Sequence, residues 1–472
     1  MFPPLALSSF ITERRTLSPA RSPSSSTGGN GSPCSRRSRR VRMGRSMGTS
    51  PPWGALYGTG GLPGSSLWPC NPAALAPEDP AEVAMDLAVV TPFPPRLTGI
   101  SLYGLHLCRA MAQTGRLSRI AIVTEIHDKR GKEHEGGSLR LEIHRIWRGG
   151  HPAAGLQLLR GLKRAGPRNV WVNFSFGAFG ASPVALISIL IGLTLAARQG
   201  WTMRITAHEA SLIDPHAMEP ASRILSALFR WLTHLGLIVV PLRADAERLQ
   251  DCFPGAPIVH IPHGSFYPPH ALPEPENPGL LFFGVMAPYK GLAILLEAFQ
   301  MLRARHPTLT LEIAGAEHPR FPGYINRLQA AYAHRHGIRW QGPVSEEEAE
   351  RIFARNTLVL LPYLQATGPS SVIYRAAAWG RPIVSSDLPA LRATADEAGL
   401  VGNWVPPGDP EALAQAIDSM LREASQREQQ RQRNLQAIAS CTMDRIAEAY
   451  LRILEPLPVR SAVPQPLPQE NL

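Results

Sequence analysis

The chain reads as an α/β protein: two doubly wound parallel-sheet domains joined by a short linker, preceded by an extension that does not fold. Three observations predict this. From Met85 onward, apolar runs of strand length alternate with segments of helical periodicity, the pattern of a parallel sheet covered on both faces. The alternation stops at the Pro-rich stretch HALPEPENP (270–278) and then restarts. Residues 1–84 and the Pro-rich end after Glu455 show no such patterning. The expected organisation is an extension at 1–84, a first domain at 85–269, a second at 270–440, a C-terminal helix at 441–456 and a disordered tail at 457–472.

At 472 residues and 44% hydrophobic composition, the chain can bury two α/β cores. Net charge is +11, and part of the excess lies in the extension. Residues 1–84 carry nine arginines against Glu13, Glu78, Asp79 and Glu82, nine minus four or +5. A segment otherwise made of Ser, Pro and Gly cannot bury enough apolar surface to fold. It fits a start codon assigned upstream of Met85, or a disordered leader of the transit-peptide or nucleic-acid-arm class. With that charge set aside, nucleic-acid binding loses much of its support, and no nucleic-acid partner is expected. No apolar core of signal-peptide length accompanies the arginines. Cys34, Cys70, Cys108, Cys252 and Cys441 show neither metal spacing nor a disulfide framework, so a cytoplasmic protein is expected.

In order, 87–90 reads as a strand, 101–113 as a helix and 120–124 as a strand, followed by polar, Gly-rich sequence to about 137. Strands at 170–174, 204–207 and 237–240 follow. The apolar run ASPVALISILIGLTLAA (181–197) is shorter than the ~20 residues a membrane span needs. It opens with Ser-Pro and lies between two strands, so a buried helix in a β-α-β unit is expected. Beyond the linker, strands are expected at 280–284, 310–314, 338–340, 357–361 and 382–385. Helices are expected at 291–303, 324–336, 346–354, 371–378 and 410–422, with a long polar helix to about 454.

In open α/β sheets ligands bind beyond the carboxyl ends of strands, and four loops meet that description. TPFPPRLTGI (91–100) carries Gly99 near a helix start, where backbone N–H groups can approach a phosphate or sugar, or where the glycine is an ordinary loop residue. His208 follows a buried strand and is either a structural partner or a group facing substrate. Gly284 ends a strand, and Lys290 stands where the next helix opens. The chain has only four lysines, Lys129, Lys132, Lys163 and Lys290. An ammonium beside a positive helix N-terminus is unfavourable unless an anion lies between them, and a compact point charge suits a phosphate; the alternative is a solvated lysine. The last loop, TGPSS (367–371), places Thr367, Gly368, Ser370 and Ser371 at a helix start whose free N–H groups are a second anion site or a plain cap. Helix starts from both domains lining one gap suggest a nucleotide-diphosphate site.

Several ordered motifs then resemble the retaining glycosyltransferases of family 4, which have the GT-B fold of two Rossmann-like domains facing a central cleft. They are FFG (282–284) with PYKGL (288–292) and LLEAF (295–299), LEIAG (311–315), IRWQGPV (338–344), LLPY (360–363), AWGRPIV (378–384) and VPPGDPEAL (405–413). Looser matches are the Gly99 loop, His208 and IPHG (261–264). The resemblance implies that the second domain holds a nucleotide-diphosphate sugar as co-substrate and the first a glycan or lipid-linked acceptor. It implies that Lys290 contacts the donor diphosphate in place of a metal, that His208 approaches the donor sugar, and that the Val344 loop contacts the base. No cofactor and no metal are expected.

Three positions depart from the pattern. Val285 stands where the family often has Arg, and Thr367 and Arg375 stand where it usually has two glutamates. Hydrogen bonds to charged groups contribute about 1.5–3 kcal/mol each, so two uncompensated losses weaken donor binding or its transition state roughly 10²–10⁴-fold. Either the TGPSS loop and Arg375 substitute, or the chain is a catalytically weak nucleotide-sugar-binding scaffold in a glycan-assembly complex. A phosphorylase holding pyridoxal phosphate on Lys290 is a third, poorer fit. The preferred expectation is retaining, metal-independent sugar transfer in polysaccharide biosynthesis, catalysed by Lys290 and His208. Gly99, Gly284, Val344, Thr367, Gly368, Ser370, Ser371 and Arg375 are its donor-binding residues. The apolar 181–197 helix and scattered arginines permit peripheral contact with the inner face of the membrane.

Overall fold

The computed structural model describes residues 85–455, apart from 97, 127–130, 136–140, 180–181 and 217. The extension at 1–84 and the tail at 457–472 lie outside the described residues. Within them the chain forms two α/β lobes.

The first lobe runs β1 (Met85–Val90), α1 (Gly99–Gln113), β2 (Leu117–Glu125), β3 (Gly131–Glu135), β4 (Leu141–Trp147), α2 (Ala154–Ala165), β5 (Asn169–Phe174), α3 (Phe176–Phe179), α4 (Pro183–Arg198), β6 (Thr202–Ala207), α5 (Pro220–Thr233), β7 (Gly236–Val240), α6 (Arg243–Cys252) and β8 (Ile258–His260). Its sheet has the order β3-β4-β2-β1-β5-β6-β7-β8, parallel throughout except for β3, which pairs antiparallel at the edge. β1 lies at the centre, and Leu87, Ala88, Val89 and Val90 are fully buried because helices cover both faces.

The second lobe runs β9 (Gly279–Phe283), α7 (Leu292–Arg303), β10 (Thr310–Ala314), α8 (Tyr324–Ala331), β11 (Ile338–Gly342), α9 (Glu346–Ala354), β12 (Leu358–Leu361), α10 (Ser371–Ala378), β13 (Ile383–Ser386), α11 (Pro389–Glu397), β14 (Asn403–Val405), α12 (Pro410–Arg422), α13 (Ala424–Ile438) and α14 (Met443–Leu454). Its six strands have the order β11-β10-β9-β12-β13-β14, all parallel.

The predicted two-lobed α/β class is what the chain adopts, with several local corrections. The segment read as polar sequence after 124 contributes β3, and β4 and α2 follow it. The sequence Leu-Glu-Ile-His-Arg-Ile-Trp of β4 has a strand's alternation, but it buries His144 and Arg145 as well as its apolar residues, which obscures the pattern. α5, α6, β8, α11 and β14 were likewise not anticipated. The single long helix expected to 454 is two, because the chain turns at Cys441, whose N–H bonds the Ile438 carbonyl, before α14 begins.

That turn matters for assembly. α14 leaves the second lobe and packs against α1 of the first. Tyr450, fully buried, bonds Thr206 Oγ1 at 2.7 Å and Tyr103 Oη at 3.2 Å. Arg204 Nε and Asn169 Nδ2 donate to the Ile453 and Leu454 carbonyls at its end. The C-terminal helix is therefore a structural part of the N-terminal lobe.

α4 begins at Ser182, whose side chain accepts from Ala185 N, with Pro183 at the first helical position. It is not a fully buried helix as expected. One face packs on the sheet, while Val184, Ile187, Ile191 and Leu195 are exposed. α2 crosses α4 with backbones in contact at Gly155 and Gly192, where a Cβ on either would run into a main-chain carbonyl of the other helix. No helix among the described residues is long and apolar enough to cross a membrane.

Candidate functional site

The carboxyl ends of β9, β10 and β12 in the second lobe face loops from the first. Gly284, at φ 120°, follows β9, and Gly291, at φ 67°, follows a short 3₁₀ turn at Pro288–Lys290. Gly291 also lies against the Pro362 carbonyl, leaving no room for a side chain. A glycine is therefore required there twice over, by its left-handed backbone and by its close approach. This fixes the turn that carries Lys290.

Lys290 Nζ lies 3.7 Å from the Tyr363 ring centroid. The residue as a whole is half-buried, yet burial of its ammonium end brings its pKa down to about 7. No carboxylate stands beside it among the described residues. Ser370 lies beside the Tyr363 side chain and offsets part of the burial that raises its pKa. Ser370 occupies the cap position of α10, but its hydroxyl makes no cap bond to the helix, so its side chain does not carry the plain-cap alternative. Ser371 and Val372 open the helix, where backbone N–H groups have no α-helical partner, while Ile373 N donates to the Ser370 carbonyl at 3.1 Å. Val372 approaches Gly284 to within 3.6 Å of where a Cβ would stand. Lys290, Gly284, Ser370 and Ser371 thus converge.

His208 follows β6 and reaches the same region from the other lobe. Its backbone carbonyl lies against Gly368, and Ser211 Oγ donates to the Thr367 carbonyl at 2.5 Å. His208 is buried at 7% exposure, and its Nε2 is 2.6 Å from Asn173 Oδ1. Asn173 Nδ2 donates to the Ile100 carbonyl and to Thr91 Oγ1, each at 2.9 Å. A carbonyl oxygen can only accept, so Ile100 fixes the amide orientation and makes Oδ1 the acceptor. His208 therefore carries its proton on Nε2. Burial, with His263 nearby, brings its pKa down to about 3, so the ring is neutral and Nδ1 is a free acceptor.

Gly99 is the first residue of α1. The helix is capped by Thr98, whose side chain accepts from Ser101 N at 3.1 Å while Ser101 Oγ accepts from Thr98 N at 2.8 Å. A Cβ at Gly99 would meet nothing within 4 Å, so open space lies beside it.

Val344 sits between β11 and α9, half-buried against the second core. Arg375, on the second turn of α10, is buried and donates to Tyr267 Oη at 2.5 Å and to Glu346 at 3.2 Å. Its guanidinium lies over the rings of Tyr267, Phe283 and Trp379. It ties α10 to Glu346, two residues beyond Val344.

Other residues of this region had no signal in the sequence. Asn173 reads there as one polar residue within a strand. Arg320, in the loop after β10, comes within 3.6 Å of a Cβ placed on Gly177 of the first lobe, as does the Glu209 carboxylate. Glu209 is bonded by Ser175 Oγ at 2.6 Å and Phe176 N at 2.7 Å, yet burial holds its pKa above the ordinary value. Burial, Arg320 and Lys290 together depress the pKa of His318. Lys290 and Arg320 thus flank a His318 that they keep neutral. Among the described residues no group of three or more His, Cys, Asp or Glu could hold a metal ion.

Comparison with known proteins fits this geometry. A phosphatidyl-myo-inositol mannosyltransferase of Mycobacterium leprae is 29% identical over 168 residues, 36% of this chain and 43% of that protein. D-rhamnosyltransferase WbpZ of Pseudomonas aeruginosa is 30% identical over 158 residues, 33% and 39% of the two chains. The chain thus spans less than half the length of the curated relatives it matches. Sucrose-phosphate synthase from Thermosynechococcus elongatus shares the fold at a TM-score of 0.62 and 16% identity, covering 78% of this chain and 98% of that one. Anabaena Alr3699/HepE, solved with UDP and glucose, does so at 0.57 and 16%, covering 78% and 99%. The family described as Glycosyl transferases group 1 matches residues 277–423. That segment contains Gly284, Lys290, Val344, Thr367, Gly368, Ser370, Ser371 and Arg375, so the family likeness falls on the second lobe's side of the cleft.

Proposed function

We propose that the chain transfers a sugar from a nucleotide-diphosphate donor to a hydroxyl of a glycan or lipid-linked acceptor, with retention at the anomeric carbon and without an essential metal, as a family 4 glycosyltransferase acting at the cytoplasmic face of the membrane. The observation that carries this is Lys290, a desolvated ammonium group on an aromatic platform with no anionic partner among the described residues. A buried cation without a counter-ion is costly. An anionic ligand in the crevice relieves that cost and is held by it.

The donor diphosphate is placed between Lys290 and the first turn of α10, with Arg320 at the rim and Arg375 and the Val344 loop on the nucleoside side. The bond from the anomeric carbon to the phosphate oxygen breaks, and its electron pair stays on the departing nucleoside diphosphate. Lys290 and the helix N–H groups stabilise that charge as it develops. The acceptor oxygen attacks the same face of the sugar, and its proton passes to the leaving phosphate. His208, neutral and protonated at Nε2, orients the sugar by accepting a hydroxyl hydrogen at Nδ1.

Donor turnover in EDTA tests this. Lys290→Ala is expected to reduce it at least tenfold, whereas Arg433→Ala, exposed on α13, leaves it unchanged. Equal turnover by the two variants would refute the assignment.

A further inference from the structure

The first lobe carries a surface that donor chemistry does not use. The crossovers from β4 to β5, β5 to β6 and β6 to β7 all advance in the same direction across the sheet. Right-handed crossovers then place α2, α4 and α5 side by side on one face. α2 touches α4 through the Gly155–Gly192 crossing, and Trp231 Nε1 of α5 donates to Thr194 Oγ1 of α4 at 2.9 Å.

On α4 the exposed side chains are Val184, Ile187, Ile191 and Leu195, spaced three and four apart, and the row ends at exposed Arg198. Leu156 of α2 and Ile224 of α5 are exposed beside it, at 48% and 51%. The three helices together contain no aspartate or glutamate. Their only charges are Arg160, Lys163, Arg164, Arg198, Arg223 and Arg230, all exposed. None of the six makes an ion pair with a described residue. Acids border this face at exposed Glu219, the residue before α5, and at exposed Glu247 and Asp251 of α6.

An apolar ridge flanked on both sides by uncompensated cations fits one partner well. A neutral protein surface matches the ridge but not the charge, and a nucleic acid matches the charge but not the ridge. We infer that the outer face of α2, α4 and α5 is a docking surface for an anionic lipid bilayer, with the α4 ridge inserted among the acyl chains and the six cations at the headgroups. The surface stands independently of the transfer reaction. It rests on the reading above only in that it brings a lipid-linked acceptor to the cleft.

The test is co-sedimentation of the full chain with vesicles of phosphatidylglycerol in phosphatidylcholine, against vesicles of phosphatidylcholine alone. Binding is expected to the anionic vesicles, to fall as salt is raised, and to drop about tenfold in Ile187→Asp/Ile191→Asp and in Arg160→Glu/Arg164→Glu. Both variants should keep wild-type UDP affinity and thermal unfolding, which separates loss of the surface from loss of the fold. Equal binding to both vesicle types, or undiminished binding by both variants, overturns the inference. So does a dimer in solution that Ile187→Asp/Ile191→Asp dissociates without any vesicle binding, which makes the ridge a self-interface. Anionic-vesicle binding that appears only after residues 1–84 are removed overturns it for the intact chain. Absence of UDP binding throughout counts against the proposed reaction and not against this surface.

Discussion

His208 Nε2 and Asn173 Oδ1 stand 2.6 Å apart in the core of the first lobe, and that bond decides what the imidazole can do. Asn173 is itself held at Ile100 and Thr91, so neither partner can turn without breaking a buried network. A ring locked with Nε2–H inward and burial-depressed basicity offers the cleft a lone pair, not a proton. In the proposed reaction His208 therefore positions the sugar and does not act as a general acid.

Asn173→Asp tests that lock. A carboxylate beside the ring favours imidazolium and raises the pKa of His208 from about 3 toward the neutral range. The wild type is expected to show no histidine ionisation in kcat/KM between about pH 5 and 8. The variant is expected to gain one, with activity falling as pH drops and Nδ1 becomes protonated. Nitrogen NMR of the ring should report Nε2–H in the wild type. An Nδ1–H tautomer there would contradict the assignment.

Lys290 predicts a pH-dependent donor affinity. Its pKa of about 7 lies well below the unfolded value, so the free protein holds it largely neutral above that pH. A bound diphosphate raises the pKa, and binding then takes up a proton. Affinity for UDP should be greatest near pH 7 and weaken by up to about tenfold per unit as pH rises, until the bound-state pKa is passed. Lys290→Met should bind weakly with a flat profile over pH 7–9. The same linkage in folding has the opposite sense. Burying neutral Lys290 costs stability that grows as pH falls from about 10 to 7, so Lys290→Met should unfold at higher temperature at pH 7.

Arg320, whose charge bears on His318 beside Lys290, is proposed to supply the cation that the family resemblance expects at position 285. Because it is exposed, its contribution is discounted to about 1 kcal/mol. Arg320→Ala should raise the donor KM roughly fivefold with little change in kcat. Restoring an arginine through Val285→Arg in that background should recover most of the loss, measured by steady-state kinetics at fixed salt.

Tyr450→Phe separates fold from function. It removes the hydroxyl shared with Thr206 and Tyr103, which should cost about 1–3 kcal/mol in denaturant unfolding. Nucleotide affinity should not change, because Tyr450 touches none of the residues of the second lobe proposed to hold the diphosphate and, among the described residues, bonds only Thr206 and Tyr103.

What could be read from the sequence was local. Lys290 was identifiable because a strand, two glycines, the lysine and a helix lie within a dozen residues. The TGPSS helix start was identifiable for the same reason. Asn173 was not, because its meaning depends on a partner 35 positions away, just past the neighbouring strand. Arg320 acts through its charge on Glu209 of the other lobe, and α14 returns across the whole chain to pack on α1. Periodicity gave α4 its boundaries but not its burial. An apolar run looks alike whether its outer face meets protein, water or lipid, and only the acid-free neighbours α2 and α5 distinguish the cases.

The most direct test of the donor site is isothermal titration of UDP, GDP and ADP into the protein in EDTA, with Lys290→Ala in parallel. One nucleotide binding tightly without metal, and at least tenfold more weakly to Lys290→Ala, is the result predicted here. Binding by none of the three, or equal binding by the wild type and Lys290→Ala, would contradict the metal-free diphosphate site built on Lys290.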